Sequence, residues 1–267
     1  GLSAGNTVYL LSNGSLVDTA LTAANSTFSF TIFNGAIADN ANLLFYIGGV
    51  SYKSNALAIA PDLGGSLVGI SLTSNDISVH NSVSTLSNAT MRDSFVNGNN
   101  SADILFSING SNVMTLANSA NLKTTSSTTF TVNGNIIATN GTSSVNFAGP
   151  VNLNANITTT GNQHFAGIVM APATSSTLTS SAGDIIISGN IDGGNKTLVI
   201  DTSGNNGSIS GEISNLNGFT KQGAGTLALT NANNSFTNNI TITNGTLSIA
   251  SIANSGTNSA LGAGYSV

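Results

Sequence analysis

From residue 106 onward, apolar side chains fall on alternate positions in short runs. Phe106 and Ile108, Phe130 and Val132, Val145 and Phe147, and Val151 and Leu153 open the series. Ile185 and Ile187, Leu198 and Ile200, Leu227 and Leu229, Ile240 and Ile242, and Leu247 and Ile249 continue it. A period of two sets alternate side chains on one face of a strand, and the Asn, Gly and Ser between runs mark turns. Strong helix formers with i, i+4 charge pairs do not occur, so the pattern predicts an all-β chain.

The runs also recur. Thr177-Leu178, Thr197-Leu198, Thr226-Leu227 and Thr246-Leu247 are spaced by 20, 29 and 20 residues. Ile187-Ser-Gly-Asn-Ile191 and Ile209-Ser-Gly-Glu-Ile213 lie 22 apart. Such periods predict a parallel β-solenoid, each coil lying on its neighbour. The 29-residue interval reads as a coil with a longer loop. Asn-Gly at 97–98, 109–110, 133–134, 140–141 and 244–245 reads as solenoid corners that need positive φ, with β-hairpin turns as the alternative.

Residues 1–60 follow another pattern. Strands are predicted near 6–11, 15–22, 26–33, 42–47 and 50–59, with Tyr9, Phe28, Phe30, Phe33, Phe45, Tyr46 and Tyr52 concentrated there. Strand lengths and turn spacing predict a small antiparallel β-sandwich. Pro61 and the following Asp-Leu-Gly-Gly-Ser read as a linker, dividing the chain into a sandwich over 1–60 and a solenoid over 61–267.

Charge changes the picture more than size does. Only 5 Lys+Arg and 10 Asp+Glu occur among 267 residues, or 6%, against about 25% in ordinary soluble domains. Apolar residues make up 40%, so a core can form while Ser, Thr, Asn and Gly cover the outside. Stacked coils give that choice a reason. Like residues lie above one another at about 4.8 Å, where charged columns repel and Ser, Thr and Asn columns hydrogen-bond. Lys53, Arg92, Lys123, Lys196 and Lys221 stand far apart and form no basic stripe, which excludes nucleic acid as a partner. The most apolar stretch, 41–50, is too short for a membrane span. Absence of Cys removes disulfides and thiolate metal sites, and together with the low charge predicts an exported protein. The chain opens at Gly1 rather than Met, which reads as a processed protein or a segment of a longer one.

Lys221, Gly223, Gly225, Thr226, Leu227 and Leu229 spell Lys-x-Gly-x-Gly-Thr-Leu-x-Leu, followed by a Thr-rich stretch from Thr241 to Ile249 and a closing Ala260-Leu261-Gly262. In this order, residues 218–267 resemble the passenger-associated repeat of autotransporters. Residues 156–204 are similar to repeats of filamentous haemagglutinin-type adhesins. Residues 5–59 more loosely resemble immunoglobulin-like or carboxypeptidase-regulatory-like sandwich modules of surface proteins. The resemblance implies a right-handed parallel β-helix at the bacterial outer surface, a scaffold with no catalytic residues.

Candidate chemistry is sparse. Asp184, Asp192, Asp201 and Glu212 form the one dense acidic run and would suit a polysaccharide-cleaving β-helix if two carboxylates met as acid and base. Asp192 and Asp201, however, sit among Gly and Asn as turn caps do, and no Trp supplies a sugar platform. His80 and His164 lack metal-ligand spacing and read as polar surface residues; Asp103 in 97–104 is too isolated to define a calcium site. Thr clusters at 124–131 and 157–160 raise an ice-binding face, but their uneven spacing reads as strand-forming Thr. Lys53 beside Tyr52, with Asp18 or Asp39, would permit an isopeptide bond only if folding joined them. The Asn-x-Ser/Thr triplets at Asn25, Asn140, Asn156, Asn195, Asn239 and Asn244 follow from composition and are not read as glycosylation sites. No catalytic, cofactor-binding or metal residue is therefore assigned.

The expectation is a non-enzymatic stalk or adhesin with an unidentified surface or glycan ligand. Its alternative is a filament subunit, because Ala260, Leu261, Gly262 and Tyr265 bring no charged cap to the C-terminal end. That end is expected to meet a continuing chain or a second copy.

Overall fold

The computed structural model describes residues 3–33, 35–49, 51–62, 65–95, 102–170, 175–203 and 205–264. Asn97-Gly98, most of the 97–104 segment and Tyr265 lie outside the described residues.

From Asp76 the chain winds into parallel coils with three strand-bearing faces. The first face stacks Asp76–Val79, Asn121–Thr124, Ser144–Phe147, Gln163–Phe165, Ile185–Ile187, Gly207–Ile209, Thr226–Leu229 and Thr246–Ile249. The second stacks Thr85–Ser87, Thr129–Val132, Val151–Leu153, Ile168–Met170 and the first residues of Ile191–Asp201 and Ile213–Gln222. Those two long strands bend into the third face, where they join Met114–Leu116, Ile136–Ala138, Ile157–Thr159, Ser176–Ser180 and Ile240–Ile242.

Alternation turns one side chain in two inward on every face. The column Ile136, Ile157, Leu178, Ile200 is fully buried, as is Phe130, Val151, Ile168, Ile191 apart from traces. Phe147 lies 5.6 Å from Phe165 one coil on, and 4.9 Å from Phe130 across the interior. Removing this apolar area from water drives coil formation, and each coil is stable only through its neighbours.

Corners are stitched by Asn. Asn162 Oδ1 accepts the Asp184 amide at 2.8 Å, Asp184 Oδ1 accepts that of Asn206 at 3.2 Å, and Asn206 Oδ1 that of Thr226 at 3.4 Å. A second ladder runs from Asn135 through Asn156 to Thr177. Apart from Asp184, neutral amides perform this coil after coil without mutual repulsion, which accounts for the composition. At the Ile187–Ile191 and Ile209–Ile213 corners, a Cβ on Gly211 would overlap the Gly189 carbonyl below it. Glycine is required there by close approach of two backbones.

The 22-residue repeat is in register: Ile187 pairs with Ile209 and Ile191 with Ile213. The Thr-Leu series is not one column. Leu178 pairs with Ile200 rather than Leu198, on the third face, whereas Leu227 and Leu247 pair on the first. The 29-residue interval thus steps from one face to another and is not a coil with a long loop. Asn133-Gly134, Asn140-Gly141 and Asn244-Gly245 turn corners between parallel strands, but Asn109-Gly110 joins the antiparallel pair Phe106–Ile108 and Met114–Leu116.

The N-terminal end is closed differently on each face. Ser15–Leu21, Thr7–Ser12, Asn42–Gly48 and Asn55–Ile59 form, in that spatial order, an antiparallel sheet that is a meander except that Thr7–Ser12 lies between Ser15–Leu21 and Asn42–Gly48; its last strand pairs in parallel with Asp76–Val79. One sheet therefore runs from the meander into the first face. Leu11, Leu44, Tyr46 and Leu57 join the solenoid core on one side. On the other, Leu10, Leu43 and Phe45 are covered by Phe28, Phe30, Ile32 and Ile37 and by Leu67, Ile70 and Leu72. The strand expected at 26–33 does not form: this segment joins no ladder from residue 27 on, and packs Phe28 and Phe30 against Phe45. Side-chain burial, not backbone pairing, holds the second layer.

A helix, Asn88–Asp93, closes the second face. Ser87 caps it, accepting from the Thr90 amide while its own amide donates to Thr90 Oγ1, a reciprocal capping box. Buried Asn88 ties the helix to the coils below, donating to the Asn112 and Gly134 carbonyls at 2.9 Å. On the third face the hairpin strand Phe106–Ile108 blocks further parallel addition. At the other end, Ile242 and Ile249 occupy inward columns yet stand 50% and 38% exposed, because among the described residues no further strand pairs over them.

Candidate functional site

The acidic run does not converge. Asp184 belongs to the Asn ladder. Asp192 Oδ1 accepts from the Gly194 amide and Asn215 Nδ2, Asp201 Oδ1 from Ser203 Oγ, and Glu212 Oε1 from Ser235 Oγ. Each carboxylate serves its own corner, and no acid–base pair is assembled. His80 is held by Ser82 Oγ and the Val68 carbonyl; His164 points outward between Asn146 and Ile186. Lys53 donates to the Ala102 carbonyl and Asp18 accepts from the Thr19 amide, so neither Asp18 nor Asp39 is joined to Lys53. Asp103 Oδ2 accepts from the Gly49 amide. Thr131 stacks with Ser87 and Asn152, and Thr158 with Ile137 and Thr179, which breaks a continuous Thr-x-Thr surface. Among the described residues no three His, Asp or Glu approach as a metal set.

Two features carry more information. The first is Lys221, fully buried in an aliphatic column between Ile200 and Ile242. Its stem packs as a hydrophobe would, and its ammonium reaches the corner. There Nζ donates to the carbonyls of Gln222 at 2.5 Å, Gly223 at 2.7 Å and Asn244 at 3.3 Å. The ammonium thus joins one corner to the equivalent corner of the next coil. Desolvation pushes the Lys221 pKa below its ordinary value, and the Asp201 carboxylate opposes that. Gly223 and Gly245 both adopt φ of +74° at these corners. The Lys-x-Gly-x-Gly spacing therefore encodes a clamp: an inward cation, a left-handed turn, then a close approach at Gly225, where a Cβ would overlap the Asn205 carbonyl. The parity of Phe219 and Lys221 marks the lysine as inward, a signal that sequence reasoning passed over.

The second feature is a cleft of about 680 Å³ between the outer side of the meander and the segments that cover it. Phe28, Phe30, Phe33 and Phe45 supply its aromatic lining, with Leu10 and Leu67. Phe30 stands 5.9 Å from both Phe28 and Phe45, and Phe33 is 83% exposed. The aromatic density of residues 1–60 points to this cleft, but its other wall, 65–70, comprises the end of the linker and the residues after it and was not visible in the sequence.

Residues 219–249 match the passenger-associated-transport-repeat family. The match spans one full winding, from the third-face strand bearing Lys221 to Ile240–Ile242 above it, and continues onto the next first-face strand, Thr246–Ile249. Together with the parallel stack, the match fits an autotransporter-passenger-type β-helical repeat over 219–249, a repeat type that implies a secreted or surface-exposed protein. No curated protein and no solved structure matches the chain.

Proposed function

We propose that this chain is a non-enzymatic stalk segment of a surface or secreted passenger that holds its N-terminal unit away from the cell and attaches through it. The observation that carries this reading is the polarity of the stack. One continuous apolar interior runs beneath the coils, closed at the N-terminal end by meander, helix and hairpin, and bearing the passenger repeat near the other end. A rigid rod with one finished end suits display; the scattered carboxylates do not suit sugar cleavage. Residues 1–60 are proposed as the displayed unit. Deleting them would also uncap the first face, so point substitutions in the cleft are the cleaner probe. The test is a glycan array and a cell-attachment assay on the intact protein and on Phe33→Ser. Attachment lost in the variant supports display through the cleft; attachment retained moves the adhesive surface to the solenoid.

A second reading concerns assembly. Ile242 and Ile249 stand exposed at inward positions of the last coil, so that end accepts a further coil from a continuing chain or a second copy. A head-to-tail homopolymer would have to place this parallel edge against an antiparallel meander. Electron microscopy at high concentration distinguishes filaments from single rods.

A further inference from the structure

We propose that the N-terminal cleft binds a small organic cation: an ammonium or guanidinium group on an aromatic or aliphatic frame. This deepens the display reading by naming the ligand class of the displayed unit, and depends on that reading only for its biological role.

Size comes first. About 680 Å³ is the volume of a site for a small ligand, and its phenyl walls favour a compact apolar body. Electrostatics then select the charge. Asp39 and Asp62 are the charged side chains among the lining residues, and neither carboxylate has a hydrogen bond or ion pair among the described residues. Lys53, Arg92, Lys123, Lys196 and Lys221 all lie outside the lining. Ser26, Thr27, Ser29 and Ser66 complete the polar part without adding charge. A cation is attracted both by the carboxylates and by the faces of Phe28, Phe30 and Phe33. An anion would meet two like charges and no donor of positive charge. The neighbouring meander core fixes Phe45, so the aromatic floor is preformed and a ligand does not have to order it.

Three probes of matched shape test this on the intact chain: 2-naphthylmethylammonium, 2-naphthylmethanol and 2-naphthoate, each followed by its own fluorescence polarisation at physiological salt. The expected result is saturable binding with the ammonium tightest and the carboxylate weakest. Asp39→Asn combined with Asp62→Asn should lower ammonium affinity about threefold to tenfold, to that of the alcohol, because exposed ion pairs contribute modestly. Phe33→Ser should weaken all three probes. Asp18→Asn, outside the cleft, serves as control for net charge, and circular dichroism confirms that the variants fold. The inference is overturned by absence of saturable ammonium binding, by equal affinity for the three probes, by a carboxylate preference, or by an Asp18→Asn effect as large as that of the cleft pair. Because the titration reads the cleft alone, failed attachment with intact probe binding would reject display and leave this inference standing.

Discussion

Replacing Lys221 by Met keeps the aliphatic stem and removes the ammonium, which isolates the corner clamp. Three carbonyls lose a donor. Asn244 is exposed, so water replaces the lysine there, and Gln222 retains the Thr202 amide at 3.2 Å. The half-buried Gly223 carbonyl is left without a donor, which costs about 1–3 kcal/mol. Against this, a desolvated charge is removed, and well-packed apolar replacements for buried charges are often neutral or stabilising. The donor loss wins here because the left-handed turn at Gly223 holds its carbonyl toward the vacated ammonium position. The net expectation is a loss of about 1 kcal/mol, or roughly fivefold in a local opening constant. Lys221→Ala should cost about 2 kcal/mol more, as it also deletes three buried methylenes. Coils contact mainly their neighbours, so the damage should be local. Native-state hydrogen exchange reads it directly. The Thr243 amide, bonded to the Lys221 carbonyl at 3.0 Å, should exchange faster, whereas the Val145 amide, bonded to Asn162 at 3.0 Å, should not change. Equal or slower exchange at Thr243 in the Met variant would refute the clamp.

Leu227→Asp places a charge at a fully buried position between Gly207 and Leu247, and should cost about 4 kcal/mol or more, seen as a melting midpoint lowered by about 10 °C. A wild-type melting curve would contradict the inward assignment. Gly211→Val should lose about 2 kcal/mol through overlap with the Gly189 backbone, while Gly110→Ala, with open space around its Cβ, should stay within about 0.5 kcal/mol in the same denaturation assay. The pH dependence follows from the lowered Lys221 pKa: just below 10.5 the unfolded chain binds the proton more than the folded one, so stability rises with pH in that window. The melting difference between wild type and Lys221→Met should therefore grow as pH approaches 10.5 and be level well below it; a difference constant from about pH 8 to 11 would count against the assignment.

Local chemistry was enough to reveal the strands and the stack. Alternation at Phe130 and Val132 or Ile185 and Ile187 states which side chains point inward, because the pleat has a period of two and needs no tertiary information. The 22-residue repeat at Ile187 and Ile209 was legible for the same reason: identical corners impose identical coil lengths. Charge content pointed to columns of neutral side chains, and the Lys-x-Gly-x-Gly-Thr-Leu run to a passenger-type repeat. Three-dimensional pairing alone decided which face each run occupies. Thr197-Leu198 and Thr226-Leu227 look alike locally, yet one lies on the third face and the other on the first, since face is set by the cumulative length of all preceding corners. Phe28 and Phe30 alternate as a strand would, but their segment finds no ladder partner and is held by Phe45 instead. Asp184, Asp192, Asp201 and Glu212 are close in sequence, but each carboxylate is taken up by its own donors, the Asn206 amide, the Gly194 amide with Asn215, Ser203, and Ser235, a division that only the coil register decides. The cleft likewise needed Phe28, Phe30 and Phe33 to meet 65–70 over one sheet, a contact between segments that sequence spacing does not encode.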